Sequence, residues 1–317
     1  MIFEQYKRPA VVSQAPSAVL MVRPHYFTPN PQTVKDNAFQ AQASEGVDVA
    51  KRAYDEVSQV ANVLADRGVD VHLFEDRSRS TPDSVFPNNW LTTHADGKLG
   101  LYPMFCENRR GERRQDIIDF LRSHYLVSSV IDYSAFEHQG QFLEGTGALV
   151  LDHQSRVAYA ARSHRMNDAM LSQFCQDFGY EAVVFDAVDN RGVAIYHTNV
   201  MMCVGTHYAL VALENITNVE QKVALRKRLE STGKVVISLS EAQISEFAAN
   251  ALELATPSGS ILAMSQSALT AFTQSQREQL EQWVDIVPFA IPTIELAGGS
   301  VRCMLAGIHL AKKKNAS

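Results

Sequence analysis

The feature that most restricts what this chain can fold into is a helix-then-strand pattern that returns five times at nearly constant spacing. Between residues 49 and 65, Ala50, Ala53, Tyr54, Val57, Ala61 and Leu64 recur at helical intervals. Arg67-Gly68 closes that segment, and Val69, Val71 and Leu73 then alternate with Asp70 and His72 as in a strand. The same order returns at 116–125 with 126–131, at 169–178 with 182–185, at 223–229 with 235–239, and at 277–283 with 286–289. Leu64, Leu121, Phe174, Leu229 and Leu280 mark equivalent positions, 51 to 57 residues apart. One such unit cannot bury its own apolar faces, so the units must stack on each other. With no low-complexity linker between them, the expectation is one α/β domain over 1–317, arranged as a ring. The plainer alternative is that any α/β protein alternates in this way.

The remaining composition narrows the class. Four cysteines in 317 residues, with no C-x-x-C pair, do not make a disulfide framework and fit a reducing, cytoplasmic setting. A net charge of −6 argues against nucleic acid or an anionic membrane as partner. Residues 1–10 contain Glu4, Lys7, Arg8 and Pro9 and lack the apolar core of a signal peptide, and no run is long enough to span a membrane.

Each unit strand is followed, some 10 to 15 residues on, by a polar motif leading into another β-rich run. The motifs are Pro82-Asp83-Ser84-Val85-Phe86-Pro87-Asn88-Asn89, Leu143-Glu144-Gly145, Tyr196-His197-Thr198-Asn199, Asn250-Ala251-Leu252-Glu253 and Gly298-Gly299-Ser300-Val301-Arg302-Cys303. Equivalent positions of a ring face one axis. The spacing therefore predicts that Asp83, Asn88, Glu144, His197 and Cys303 converge. Two glycines bend the chain and keep side chains away before Cys303, and Arg302 sets a cation beside the thiol. Cysteine, histidine and carboxylate in one pocket would supply nucleophile, proton shuttle and orienting acid. Taken singly, each has a duller reading: a buried cysteine, a core histidine, a turn acid. Asn250 is as readily a core residue as a fourth contact to the pocket.

With these motifs assembled, the chain resembles the guanidino-group-modifying enzymes of the pentein superfamily, whose fold is a five-bladed α/β-propeller. The resemblance rests on P-D-S-V-F-P-N-N at 82–89, R-R-G-E at 109–112, L-E-G at 143–145, S-H-R-M-N at 163–167, H-T-N at 197–199 and G-G-S-V-R-C at 298–303. It is most similar to dimethylarginine dimethylaminohydrolases and arginine-deiminase-related citrulline ureidases. The resemblance implies Cys303 as nucleophile, His197 as acid/base and Glu144 as its partner. It further implies that Asp83 meets a substrate α-amino group, while Arg165 and one of Arg109 and Arg110 take the α-carboxylate. Without it, residues 109–114 read as a solvated basic run.

One departure bears on the substrate. Where dimethylarginine hydrolases carry an acidic pair, this chain has Asn88-Asn89. A guanidinium presents only donors and a full charge, whereas a ureido group is neutral and offers a carbonyl acceptor. Burying a guanidinium against neutral amides costs several kcal/mol. The expected activity is therefore hydrolysis of L-citrulline to ornithine, CO2 and ammonia through an S-carbamoyl intermediate. The amides could instead cap a turn. The alternatives are a guanidine hydrolase of deiminase or dimethylargininase type, an amidinotransferase, and a non-catalytic binding protein on the same scaffold. No cofactor or metal is expected, since Cys303 and His197 lack partners at ligand spacing. The expected partner is a small amino-acid substrate, with a homodimer left open. The irregular segment 25–40 is the candidate cover for the pocket. Cys106, Cys175 and Cys203 read as thiols without chemistry, and 311–317 as a frayed tail.

Overall fold

The computed structural model describes residues 12–34, 37–41 and 48–314. Its strands, in chain order, fall into five three-stranded sheets. The first contains β1 (Ala18–Pro24) and β2 (Asp70–Asp76), the second β3 (Leu91–Thr93), β4 (Lys98–Leu101) and β5 (Ser129–Asp132). The third contains β6 (Val150–Asp152), β7 (Val157–Ala161) and β8 (Glu181–Phe185), and the fourth β9 (Met202–Val204), β10 (Tyr208–Val211) and β11 (Val235–Ser238). The fifth has β12 (Leu252–Thr256), β13 (Gly259–Ser265) and β14 (Asp285–Phe289), while β15 (Ala306–Ile308) returns to complete the first.

Every sheet is built the same way. Its first strand pairs antiparallel with the middle one, and a helix then carries the chain over to a third strand parallel to the middle one. In the first sheet the antiparallel partner comes from the far end of the chain, with Ala18 opposite Ile308 and Leu20 opposite Ala306. That pairing gives Cys303, three residues before β15, the same position that Asn88 has before β3 and Asn199 before β9.

The five predicted helix–strand units are present, and local signals set their limits. Asp48 caps Val49–Asp66 by accepting from the Lys51 N–H, and Gly68, at φ +86°, ends it. That helix presses Val57, Val60 and Leu64 onto Val19 and Met21 of β1. The fourth helix starts at Val219 rather than 223, because Asn218 caps it. The fifth starts at Gln274 rather than 277, because Thr273 and Gln276 form a capping box. The second unit strand is shorter than the sequence suggests. Leu126 stays out of β5, 54% exposed, and its N–H bonds to Ala311 O. The tail is consequently tied down where fraying was expected: Lys313 N–H donates to His124 O and Lys312 Nζ pairs with Asp70. Asn315, Ala316 and Ser317 lie outside the described residues.

Leu64 is fully buried and Leu126 is not, so their truncations should part. Leu64→Ala is expected to cost about 2–5 kcal/mol in urea unfolding, against about 0.5 kcal/mol or less for Leu126→Ala. Equal losses would mean that the first helix is not packed as described.

Candidate active site

The five polar motifs meet just ahead of the first strand of each sheet, and hydrogen bonds join them. Asn88 Nδ2 donates to Cys303 O at 2.6 Å, and Cys303 N–H donates to Asn250 Oδ1 at 3.3 Å. Asn250 Nδ2 donates to Asn199 O at 3.1 Å, and Asn199 Nδ2 reaches Asn88 Oδ1 at 3.4 Å, which closes a circuit. Thr146 from the remaining motif donates to Asn88 Oδ1 at 3.2 Å. Asn88, Asn199 and Asn250 are all essentially inaccessible to solvent. In such a setting an unmatched amide is costly, so each fixes its neighbours.

Cys303 sits on a one-turn helix, Val301–Met304. Gly298, at φ +76°, lies so close to the Asn37 amide that a side chain would collide with it. A Cβ on Gly299 would stand 2.9 Å from the Phe86 ring. The two glycines thus do what the sequence suggested. The thiol receives two side-chain donors, Asn250 Nδ2 at 3.3 Å and Asn199 Nδ2 at 3.5 Å. These are suited to a sulfur that becomes negative.

His197 Nε2 meets Glu144 Oε2 at 2.8 Å, and Arg165 Nη1 lies 3.3 Å from the same oxygen. Burial works against the Glu144 charge, but Arg165, His197 and Arg109 outweigh it and hold the carboxyl well below its usual range. Burial lowers His197 to about 4 in spite of Glu144. The imidazole is therefore neutral at rest. Gly147 makes room for it: a side chain there would strike both the His197 ring and Asn89 Nδ2.

A cavity of about 10 Å³ lies against Cys303, His197, Asn89, Asp83, Arg109 and Arg165. Thr33 and Asn37 form part of its wall, so the segment expected to cover the pocket does border it; Lys35 and Asp36 are outside the described residues. Asp83 is the only carboxylate among the described lining residues. Its Oδ2 accepts from Asn30 Nδ2 at 2.8 Å, while its buried Oδ1 has no hydrogen-bond partner. Burial raises the Asp83 pKa against the pull of Arg109.

Two sequence expectations, those for Asn88 and Arg302, need correction, and of the pair left open between Arg109 and Arg110 it is Arg109 that lines the cavity. Asn88 does not face the cavity, because both ends of its amide are spent on Cys303, Asn199 and Thr146. Arg110 also points elsewhere, donating to Met104 O with Glu137 3.7 Å away. Arg109 does reach the wall, but its fork grips Glu112 at 3.0 and 2.9 Å and its Nη1 donates to Asn89 Oδ1 at 3.1 Å. Arg302, expected to assist the thiol, turns to a different cavity on the other side of its helix. Sequence reasoning missed Glu112 as the acid that clamps Arg109, although the i,i+3 spacing was legible. It also left Asn199 and Asn250 without the thiol as their partner.

A guanidinium can only donate, so the Asn89 oxygen must face Arg109 and its Nδ2 the opposite way. That Nδ2 is buried and has no partner. The cavity therefore offers one unanswered donor near His197 and one unanswered carboxylate oxygen, which suits a ligand with an acceptor at one end and a cation at the other.

Removing Asn250 strips the thiol turn of a donor and an acceptor together. Asn250→Ala is expected to slow iodoacetamide alkylation of Cys303 at neutral pH by about 10-fold or more. An unchanged rate would show that these amides do not govern the sulfur.

Residues 23–310 match a family model described as N,N dimethylarginine dimethylhydrolase, eukaryotic. No curated protein sequence matches the chain. Among solved structures, the chain resembles the N-terminal domain of ArgZ, an arginine dihydrolase from the ornithine–ammonia cycle in cyanobacteria, bound to product. The TM-score is 0.71 at 18% identity, covering 91% of this chain and 96% of that one. It also resembles AgrE in binary complex with L-arginine, with TM-score 0.74, 17% identity and 94% of this chain but 41% of that one covered. A third likeness is to DDAH from Pseudomonas aeruginosa complexed with citrulline, with TM-score 0.63, 16% identity and 92% and 99% covered. At such identities the likeness is one of fold.

Proposed function

The chain belongs to the N,N dimethylarginine dimethylhydrolase family, within the pentein superfamily, and from that premise we propose that it is a cysteine hydrolase acting on the ureido group of a citrulline-type amino acid. The five sheets then serve as the blades of one propeller, with the asparagine circuit at its hub. The observation that carries the choice of substrate is Asp83, the one carboxylate among the described lining residues of the cavity. Arginine would bring two cations, an α-ammonium and a guanidinium, and one acid cannot answer both. Citrulline brings one. Its α-ammonium goes to Asp83 Oδ1 and its α-carboxylate to the side of Arg165 and Arg109. Its ureido oxygen goes to Asn89 Nδ2, beside a sulfur surrounded by amides rather than acids.

The mechanism starts from neutral His197. The imidazole takes the Cys303 proton, and the thiolate adds to the ureido carbon. Negative charge builds on the ureido oxygen, where Asn89 Nδ2 donates to it. The C–N bond to the ornithine side breaks as imidazolium returns the proton to the departing amine, leaving a carbamoyl thioester on Cys303. His197 then takes a proton from water, the hydroxide adds to the thioester, and the C–S bond breaks as the imidazolium returns its proton to the Cys303 sulfur. Carbamic acid leaves and divides into CO2 and ammonia. Glu144 keeps the imidazole oriented and stabilises its transient charge throughout. Membership of the family, with an arginine dihydrolase and an L-arginine complex among the similar structures, favours a second reading, a guanidino hydrolase, and the assay separates the two.

Purified protein should release ornithine and ammonia from citrulline, and Cys303→Ala should release neither. Citrulline accumulating from arginine, or from dimethylarginine, would overturn the ureido reading. Asn89→Asp replaces a donor by a charged acceptor and is expected to lower citrulline turnover about 100-fold while raising that of a guanidino substrate.

The pH profile tests the resting state of His197. The working form is neutral, and the folded pKa lies below the ordinary 6.5, at about 4. The acid limb of kcat/KM should accordingly fall near pH 4. A limb near 6.5 would mean that the imidazole is not desolvated as described.

A further inference from the structure

We propose that a second cavity, on the far side of the Cys303 helix, is a binding site for a small monovalent anion held by Arg302. This cavity has a volume of about 50 Å³ and is bordered by the first strands of the sheets, including Leu91, Leu151, Met202 and Leu252. It holds one guanidinium, that of Arg302, and no carboxylate stands among its described lining residues. Arg302 makes one hydrogen bond, from Nη1 to Leu305 O at 3.0 Å, and no ion pair. Among the described residues its remaining N–H groups have no protein acceptor. The guanidinium is partly shielded from solvent and borders this cavity without a carboxylate among the described lining residues, and a small anion there supplies the missing counter-charge.

The other polar groups of the wall suit an anion as well. His153 and His309 stack with ring centroids 3.8 Å apart. His153 Nδ1 is engaged by the Tyr180 hydroxyl at 2.9 Å, which leaves Nε2 as its other polar edge. Burial, helped by Arg302, lowers both imidazoles, so they are neutral and each carries one N–H donor. Burial raises the neighbouring Cys203 thiol to about 12, so it supplies no counter-charge. Gln14 is spent on backbone partners: its amide donates to Leu151 O and Val204 O and accepts from His153 N–H. What remains is the Arg302 guanidinium and two neutral imidazoles around a space of a few water volumes. A space of that order holds chloride, bromide or bicarbonate without rearrangement of its walls. The site does not depend on the reaction assigned to Cys303, although it adjoins the residue that carries it.

The test uses the whole protein in chloride-free buffer at constant ionic strength. Potassium gluconate, bulky and weakly coordinating, is replaced stepwise by potassium chloride, bromide or bicarbonate. Binding to the folded state should raise the thermal midpoint saturably, on the order of 2 °C, in wild type. Arg302→Met should abolish that rise. Crystals soaked in bromide should show an anomalous peak within contact of the Arg302 guanidinium, a readout that survives if the variant does not fold. A stronger rise with bicarbonate than with chloride identifies an oxyanion site, and the reverse a halide site; both support the proposal. Equal midpoints in gluconate and in all three salts, or bromide-soaked crystals with no peak at Arg302, overturn it in favour of a water-filled cavity.

Discussion

Three buried asparagines and a cysteine backbone, hydrogen-bonded in a circuit, are the constraint on which the rest of this protein depends. Asn88, Asn199 and Asn250 come from three different sheets, and Cys303 from a fourth that the two ends of the chain build jointly. Each amide uses its oxygen and its nitrogen on different neighbours. None can turn without leaving a buried polar atom unmatched. The sulfur is thereby fixed by elements more than 50 residues apart in sequence, each anchored in its own packed sheet. Rigid placement of this kind is what a nucleophile needs if its reaction is to begin from a prepared geometry.

The same circuit decides the electrostatic character of the pocket. Amides supply donors without net charge, so the sulfur is solvated by dipoles. The acids stand one layer back, with Glu112 answered by Arg109 and Glu144 answered by Arg165 and His197. Among the acids of the described residues, Asp83 is the one that lines the cavity. A pocket with this distribution discriminates by charge at one end and by hydrogen-bond polarity at the other. Polarity discriminates strongly, because the wrong group leaves a buried partner unpaired.

Two successive residues on a one-turn helix serve opposite sides of it. Cys303 turns toward Asp83, Asn89 and His197, and Arg302 toward His153 and His309. A charge change on either side is felt only a few ångströms away, in a medium that screens poorly. The adjacency that made Arg302 look like a helper of the thiol thus becomes, in three dimensions, a division between two cavities.

The sequence by itself determined the repeated unit, since helical and strand periodicities, Gly68 as a stop and the capping residues Asp48, Asn218 and Thr273 are local. It also placed Asp83, Glu144, His197 and Cys303 in one site, because the polar motifs ahead of stacked sheets meet. It did not determine which way a side chain turns at those positions. Asn88 and Asn89 are neighbours of one type, yet one secures the cysteine and the other faces the cavity. Arg109 and Arg110 divide likewise between Glu112 and Met104. Such choices depend on partners brought in from distant parts of the chain, and only the packed tertiary structure sets those.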